Sequence, residues 1–187
     1  MTKIAILSSH NGSGFDTILE AQKSGELKIE IVLVLSNNTN ANVIKKAETN
    51  KINTKVINSK TAQYPDEEIE ETLRNSQAEY IFLSGYMKKI SQKITQNFTI
   101  INCHPSLLPK HGGVGMYGRY VHESVIKSSD KISGVTIHKV NEEFDKGEIL
   151  LQKELKVEEN ETIQSLEIRI KELEKLAIVE ALKSCLK

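Results

Sequence analysis

The sequence predicts an α/β protein: a three-layer, doubly wound, mostly parallel sheet with helices on both faces. Two observations carry that expectation. Up to residue 102, short apolar runs alternate with stretches of helical periodicity, the order of a parallel sheet whose crossovers are helices. Residues 11–14, 84–86 and 102–104 each follow such a run, and sheets of this class bind ligands at the carboxyl ends of their strands.

The elements follow in order. Residues 3–7 read as a buried strand, 15–24 as a helix closed by Gly25, and 29–35 as a second strand. Asn40 is placed to cap a helix through residue 49, and a strand follows at 55–57. A polar helix over 66–76 leads to a strand at 80–83, and a short helix over 91–98 leads to a strand at 99–102. The pattern then changes. Residues 110–118 form a glycine-rich loop, 120–127 a short helix, and 135–140 and 149–157 alternate as strands, one of them expected to pair antiparallel. From 162 to 186, Ile163, Leu166, Ile170, Leu173, Leu176 and Ala177 recur at helical intervals, giving a long amphipathic helix over the sheet.

With 187 residues and no linker, repeat or low-complexity tract, the whole chain 1–187 is expected to be one catalytic domain. Lys plus Arg and Asp plus Glu both number 25, so nothing in the charge calls for nucleic acid or an anionic membrane. Small-molecule substrates are the expected partners, and a monomer or weak homodimer the expected state. Cys103 and Cys185 form no disulfide or metal motif, and the chain opens directly into a strand pattern without an apolar leader, so a cytoplasmic protein is expected.

Asn102 and His104 are two apart on a strand and share a face, which sets an amide donor beside an imidazole that carries protons near neutral pH. The other reading is a strand end where Asn caps a turn and His packs. Cys103 points the opposite way, so His104 is badly placed to activate it as a nucleophile. His104, His111, His122 and His138 lack the paired spacing of metal ligands, and no metal is expected. The 8–14 segment joins the first strand to the first helix, where backbone N–H groups and the helix dipole favour an anion such as phosphate. An ordinary glycine-rich turn would look the same. A dinucleotide fingerprint lacks its third glycine, and a P-loop lacks Gly-Lys-Ser/Thr. Asp145, before Lys146-Gly147, is either a turn residue or, if its loop folds over His104, a carboxylate that raises the imidazole's pKa.

The segment Asn102-Cys103-His104-Pro105-Ser106-Leu107-Leu108-Pro109, with Asp145-Lys146-Gly147-Glu148-Ile149-Leu150-Leu151-Gln152 downstream and Asn11-Gly12-Ser13 upstream, resembles the signature of the folate-dependent formyltransferases. The similarity runs over nearly the whole chain. It implies a Rossmann-like formyltransferase fold and transfer of a formyl group from 10-formyltetrahydrofolate, a co-substrate, to the amine of 5-phosphoribosylglycinamide in purine synthesis. It also implies direct amine attack without a covalent intermediate or a metal. In that scheme Asn102 stabilises the oxyanion, His104 handles the proton, and Asp145 tunes His104 and orders a water. The resemblance further assigns the ribotide to Asn11, Gly12, Ser13, Gly14 and Glu174. It assigns the folate to Met87, Lys88, Lys89 and Ile90, to Asn102, and to the closing loop Asn141, Glu142, Glu143, Phe144 and Asp145. The chain departs from the pattern in three places: Gly14 stands where many relatives have Asn, Lys88-Lys89 replaces Arg and an aliphatic residue, and residues 63–66 hold no arginine. Formyltetrahydrofolate deformylase, other folate-dependent formyltransferases and a silent folate- or nucleotide-binding module are the alternatives; the first two share Asn102, His104 and Asp145, and an intact trio argues against the last.

Overall fold

The computed structural model of the chain describes residues 1–186. Its elements are β1 (Thr2–Leu7), α1 (Ser13–Lys23), β2 (Ile29–Ser36), α2 (Asn42–Thr49), β3 (Thr54–Val56), α3 (Pro65–Asn75), β4 (Tyr80–Leu83), α4 (Gln92–Asn97), β5 (Thr99–His104), α5 (Arg119–Lys127), β6 (Ile132–Lys139), β7 (Ile149–Lys156) and α6 (Ile163–Cys185). The strands form a seven-stranded, mostly parallel sheet in the order β3-β2-β1-β4-β5-β6-β7. The chain divides into two compact units, Met1–Ile101 and the residues from Asn102 onward.

In the first unit, β1 pairs in parallel with β2 and β4, and β2 with β3. The unbroken apolar run of β1 follows from burial on both faces of a parallel sheet: Ile4, Ala5, Ile6 and Leu7 are wholly inaccessible, with Phe15 and Ile18 of α1 and Phe82 of β4. Each such large side chain contributes roughly 1.5–3 kcal/mol of burial. Two boundaries differ from expectation. Asn40 does not cap α2; Ala41 takes that position without a side-chain hydrogen bond, because Asn38 Oδ1 already holds the Asn40 N–H in a local turn. Helix α3 begins at Pro65, where proline lacks an N–H the helix would leave unpaired anyway, and Asp66, Glu67 and Glu68 follow at its positive end.

In the second unit, β6 and β7 pair antiparallel, with Val135 opposite Lys153 and Ile137 opposite Leu151. β6 starts at Ile132 rather than 135: Ser133 and Gly134 interrupt the apolar run yet pair with Leu155 and Glu154. Strand β5 runs to His104, two residues past its expected end. Thr162 and Ser165 close a reciprocal capping box at the start of α6, and Leu166, Ile170, Ala177 and Ala181 form the buried stripe of a helix that packs on α5, β6 and β7.

Candidate active site

β5 delivers Asn102 and His104 to one set of partners and Cys103 to another, as the two-residue period of a strand requires. His104 is buried, and its Nε2 donates to the backbone carbonyl of His111 at 2.8 Å. A carbonyl only accepts, so in the neutral ring the proton sits on Nε2 and Nδ1 keeps a lone pair. That Nδ1 lies 3.6 Å from Asp145 Oδ2. Asp145, in the left-handed region at φ 56°, is held by the Gly113 N–H, which donates to Oδ2 at 2.9 Å.

A fourth residue, His138 of β6, completes the group. Its Nδ1 donates to the Lys139 carbonyl at 2.9 Å, which leaves Nε2 to accept from Asn102 Nδ2 at 3.1 Å, and Nε2 stands 3.6 Å from Asp145 Oδ1. One N–H of the Asn102 amide is thus committed and the direction of the other is set. Gly147 helps fix this corner, since a Cβ there would come within 1.7 Å of the Lys139 carbonyl oxygen. The loop therefore needs glycine two residues after Asp145.

Asp145 acts on His104 in the expected direction, but a larger influence opposes it. Burial holds His104 below the ordinary histidine value and outweighs Asp145 and the His111 carbonyl, which both push the pKa up. The same cause, burial, holds His138 low. Both rings are neutral near pH 7, the state in which His104 accepts a proton.

Cys103 leaves the strand on the other side, and its thiol lies 3.6 Å from Glu174 Oε1. Burial pushes the thiol well up and raises the Glu174 carboxyl to about 7. Glu174, assigned to the ribotide by resemblance, thus stands against Cys103. In the closing loop Asn141, Glu142, Glu143 and Phe144 are exposed, with Asn141 Oδ1 accepting from the Glu143 N–H.

In the first unit, the loop before α1 is shaped by close packing. Gly12 adopts φ 70°, and a Cβ on it would meet Val43 Cγ2 at 2.5 Å; one on Gly14 would meet Phe82 at 2.8 Å and Ser84 Oγ at 2.9 Å. At position 14 this chain therefore has no room for a side chain. Asn11 and Ser13 are exposed, and no side chain caps α1. Ser9 ties this loop to the next, because its Oγ accepts from the Met87 N–H at 2.7 Å and donates to Asn37 Oδ1. Met87, Lys88 and Lys89 are exposed, whereas Ile90 is buried.

Residues 2–182 match the family model described as formyl transferase. The chain belongs to the formyl transferase family. This formyl transferase is 36% identical over 179 residues to phosphoribosylglycinamide formyltransferase of Haemophilus influenzae, with 93% of the chain and 82% of that relative aligned. It is 35% identical over 188 residues to the chloroplastic phosphoribosylglycinamide formyltransferase of Vigna unguiculata, covering 97% of the chain and spanning 60% of that relative's length. Its fold superposes on glycinamide ribonucleotide transformylase 1 of Geobacillus kaustophilus with a TM-score of 0.91 at 28% identity, covering 100% of both chains.

Sequence reasoning assigned no role to His138 or His111. A signal for His138 was present: Thr136 and His138 are polar at alternate positions between the apolar Val135, Ile137 and Val140, and both are buried. His111 carried none, because its importance lies in its backbone carbonyl.

Proposed function

We propose that this formyl transferase moves the formyl group of 10-formyltetrahydrofolate to the primary amine of 5-phosphoribosylglycinamide, in de novo purine synthesis. The observation that carries the reading is the His104–Asp145–His138–Asn102 network, with a lone pair on His104 Nδ1 facing the Asp145 carboxyl and an oriented amide N–H on Asn102.

In the proposed reaction the amine nitrogen bonds to the formyl carbon and the carbonyl oxygen becomes an oxyanion. Asn102 donates its uncommitted N–H to that oxygen, where charge is greatest in the transition state. His104 takes the proton from the attacking nitrogen at Nδ1 and Asp145 stabilises the imidazolium. The proton then passes to the folate nitrogen as the old C–N bond breaks, directly or through a water ordered by Asp145. Asn11, Gly12, Ser13 and Gly14 are proposed to hold the ribotide phosphate through backbone N–H groups at the start of α1. On the resemblance, Met87, Lys88, Lys89 and Ile90 are proposed as folate-binding residues, as are Asn102 and Asn141–Asp145. The reading includes a cytoplasmic enzyme acting as a monomer or weak homodimer.

The test is purified protein with 10-formyltetrahydrofolate, with and without phosphoribosylglycinamide. Formylated ribotide is expected, with little formate released in its absence. Fast formate release that the ribotide does not change would make the protein a deformylase.

A further inference from the structure

The ring of His111 is held at both nitrogens: Nε2 lies 2.8 Å from Asp130 Oδ2 and Nδ1 2.8 Å from Ser124 Oγ. A carboxylate only accepts, so Nε2 carries the proton, and in the neutral ring Nδ1 accepts from the serine hydroxyl. Lys110 also grips Asp130, at 3.1 and 3.3 Å. A ring bonded at both ends does not turn without losing a bond. Meanwhile the His111 backbone sits at φ 54°, a region that residues other than glycine seldom occupy. The carbonyl of this residue is the one that receives His104 Nε2–H.

We infer that His111, anchored by Asp130 and Ser124, is a positioning residue that selects the reactive tautomer of His104. Two acceptors compete for the single proton of the neutral His104 ring: the His111 carbonyl at 2.8 Å from Nε2, and Asp145 Oδ2 at 3.6 Å from Nδ1. Distance favours the carbonyl, although the carboxylate carries the charge. If the anchor loosens and the carbonyl withdraws, the proton moves to Nδ1 and is held by Asp145, and the nitrogen facing that carboxylate is no longer a base. The titratable groups that bear on His104 are Asp145 from the β6–β7 loop, His111 from the loop before α5, His138 from β6 and His122 from α5. Among these, His111 alone acts on Nε2 through a hydrogen bond. The kinetic part of the inference rests on the formyl-transfer reading; the spectroscopic part does not.

The experiment is ¹⁵N NMR of the histidine rings, with pH profiles of kcat, for the unsubstituted protein and for His111→Asn, Ser124→Ala and Ser124→Thr. Asparagine tolerates the left-handed backbone but cannot make both ring contacts. The unsubstituted protein should show His104 protonated at Nε2. His111→Asn and Ser124→Ala should show a shift of the proton toward Nδ1, with kcat down roughly 10- to 100-fold, as expected of a misaligned catalytic group, and KM little changed. The acid limb should move to lower pH, because the lost carbonyl acceptor had favoured the charged ring. Ser124→Thr, which keeps the hydroxyl, should restore the unsubstituted spectrum and rate. An unchanged His104 spectrum and acid limb in His111→Asn and Ser124→Ala would overturn the inference, and Ser124→Ala decides alone if His111→Asn does not fold. Absence of formyl transfer in the unsubstituted protein would instead defeat the functional reading and leave the tautomer test standing.

Discussion

Adjacent residues of β5 enter two unlike surroundings. On one side, Asn102 and His104 meet His138, Asp145 and the His111 carbonyl, and each ring nitrogen that must carry a proton has an acceptor within 2.9 Å. On the other, Cys103 and Glu174 face each other at 3.6 Å. Burial dominates on both sides but acts in opposite senses, lowering the histidines and raising the carboxyl to about 7. The pH signs are therefore opposite. A histidine whose folded pKa is lowered contributes stability that is complete above the unfolded value near 6.5 and is lost as pH falls through the folded pKa. A carboxyl whose folded pKa is raised contributes stability present below its unfolded value, near 4.5, and lost as pH rises to about 7. Burial alone thus does not distinguish the two sides; directed hydrogen bonds to backbone carbonyls do.

The largest expected effect comes from removing the groups that face the chemistry. His104→Ala should lower kcat by ~10²–10⁴-fold, and Asn102→Ala should raise the barrier by roughly 2.7–4 kcal/mol, while Cys103→Ala should leave kcat near its starting value. Steady-state kinetics of the three variants checks this, and equal losses in all three would erase the distinction between the two sides.

His138→Ala removes the acceptor that orients Asn102. Loss of one such hydrogen bond, about 1 kcal/mol, should reduce kcat roughly fivefold with KM for the folate nearly unchanged. A variant with full kcat would show that the Asn102 amide is oriented by something else.

Glu174→Gln should act on stability instead. Its removal should flatten the fall in stability between about pH 4.5 and 7 and stabilise the protein by ~1–3 kcal/mol above pH 7, measured by denaturant titration at several pH values. A raised KM for the ribotide, with the stability curve unmoved, would return Glu174 to the ligand role implied by resemblance.

The contrast also explains what could be read from the sequence. Apolar runs and their helical spacers located every strand, because β1, β2 and β4 are buried on both faces and the signal does not depend on partners. The period of two placed Asn102 with His104 and set Cys103 apart. What the residues by themselves left open depends on tertiary closure. Asp145 joins the group only because the β6–β7 pairing, Ile137 against Leu151 and His138 against Ile149, folds its loop back. The net lowering of His104 was hidden too, since a nearby carboxylate predicts a rise and only burial reverses it.

The central claim is that Asp145 works through His104, so the most direct test is kcat against pH for Asp145→Asn, His104→Ala and the double variant. Asp145→Asn removes an influence that raises the imidazole's pKa, so its acid limb should move to lower pH and its rate should fall. The double variant should be little worse than His104→Ala alone, because both residues serve one proton transfer. Fully additive losses, with the limb unmoved in Asp145→Asn, would contradict the account and leave Asp145 a structural turn residue.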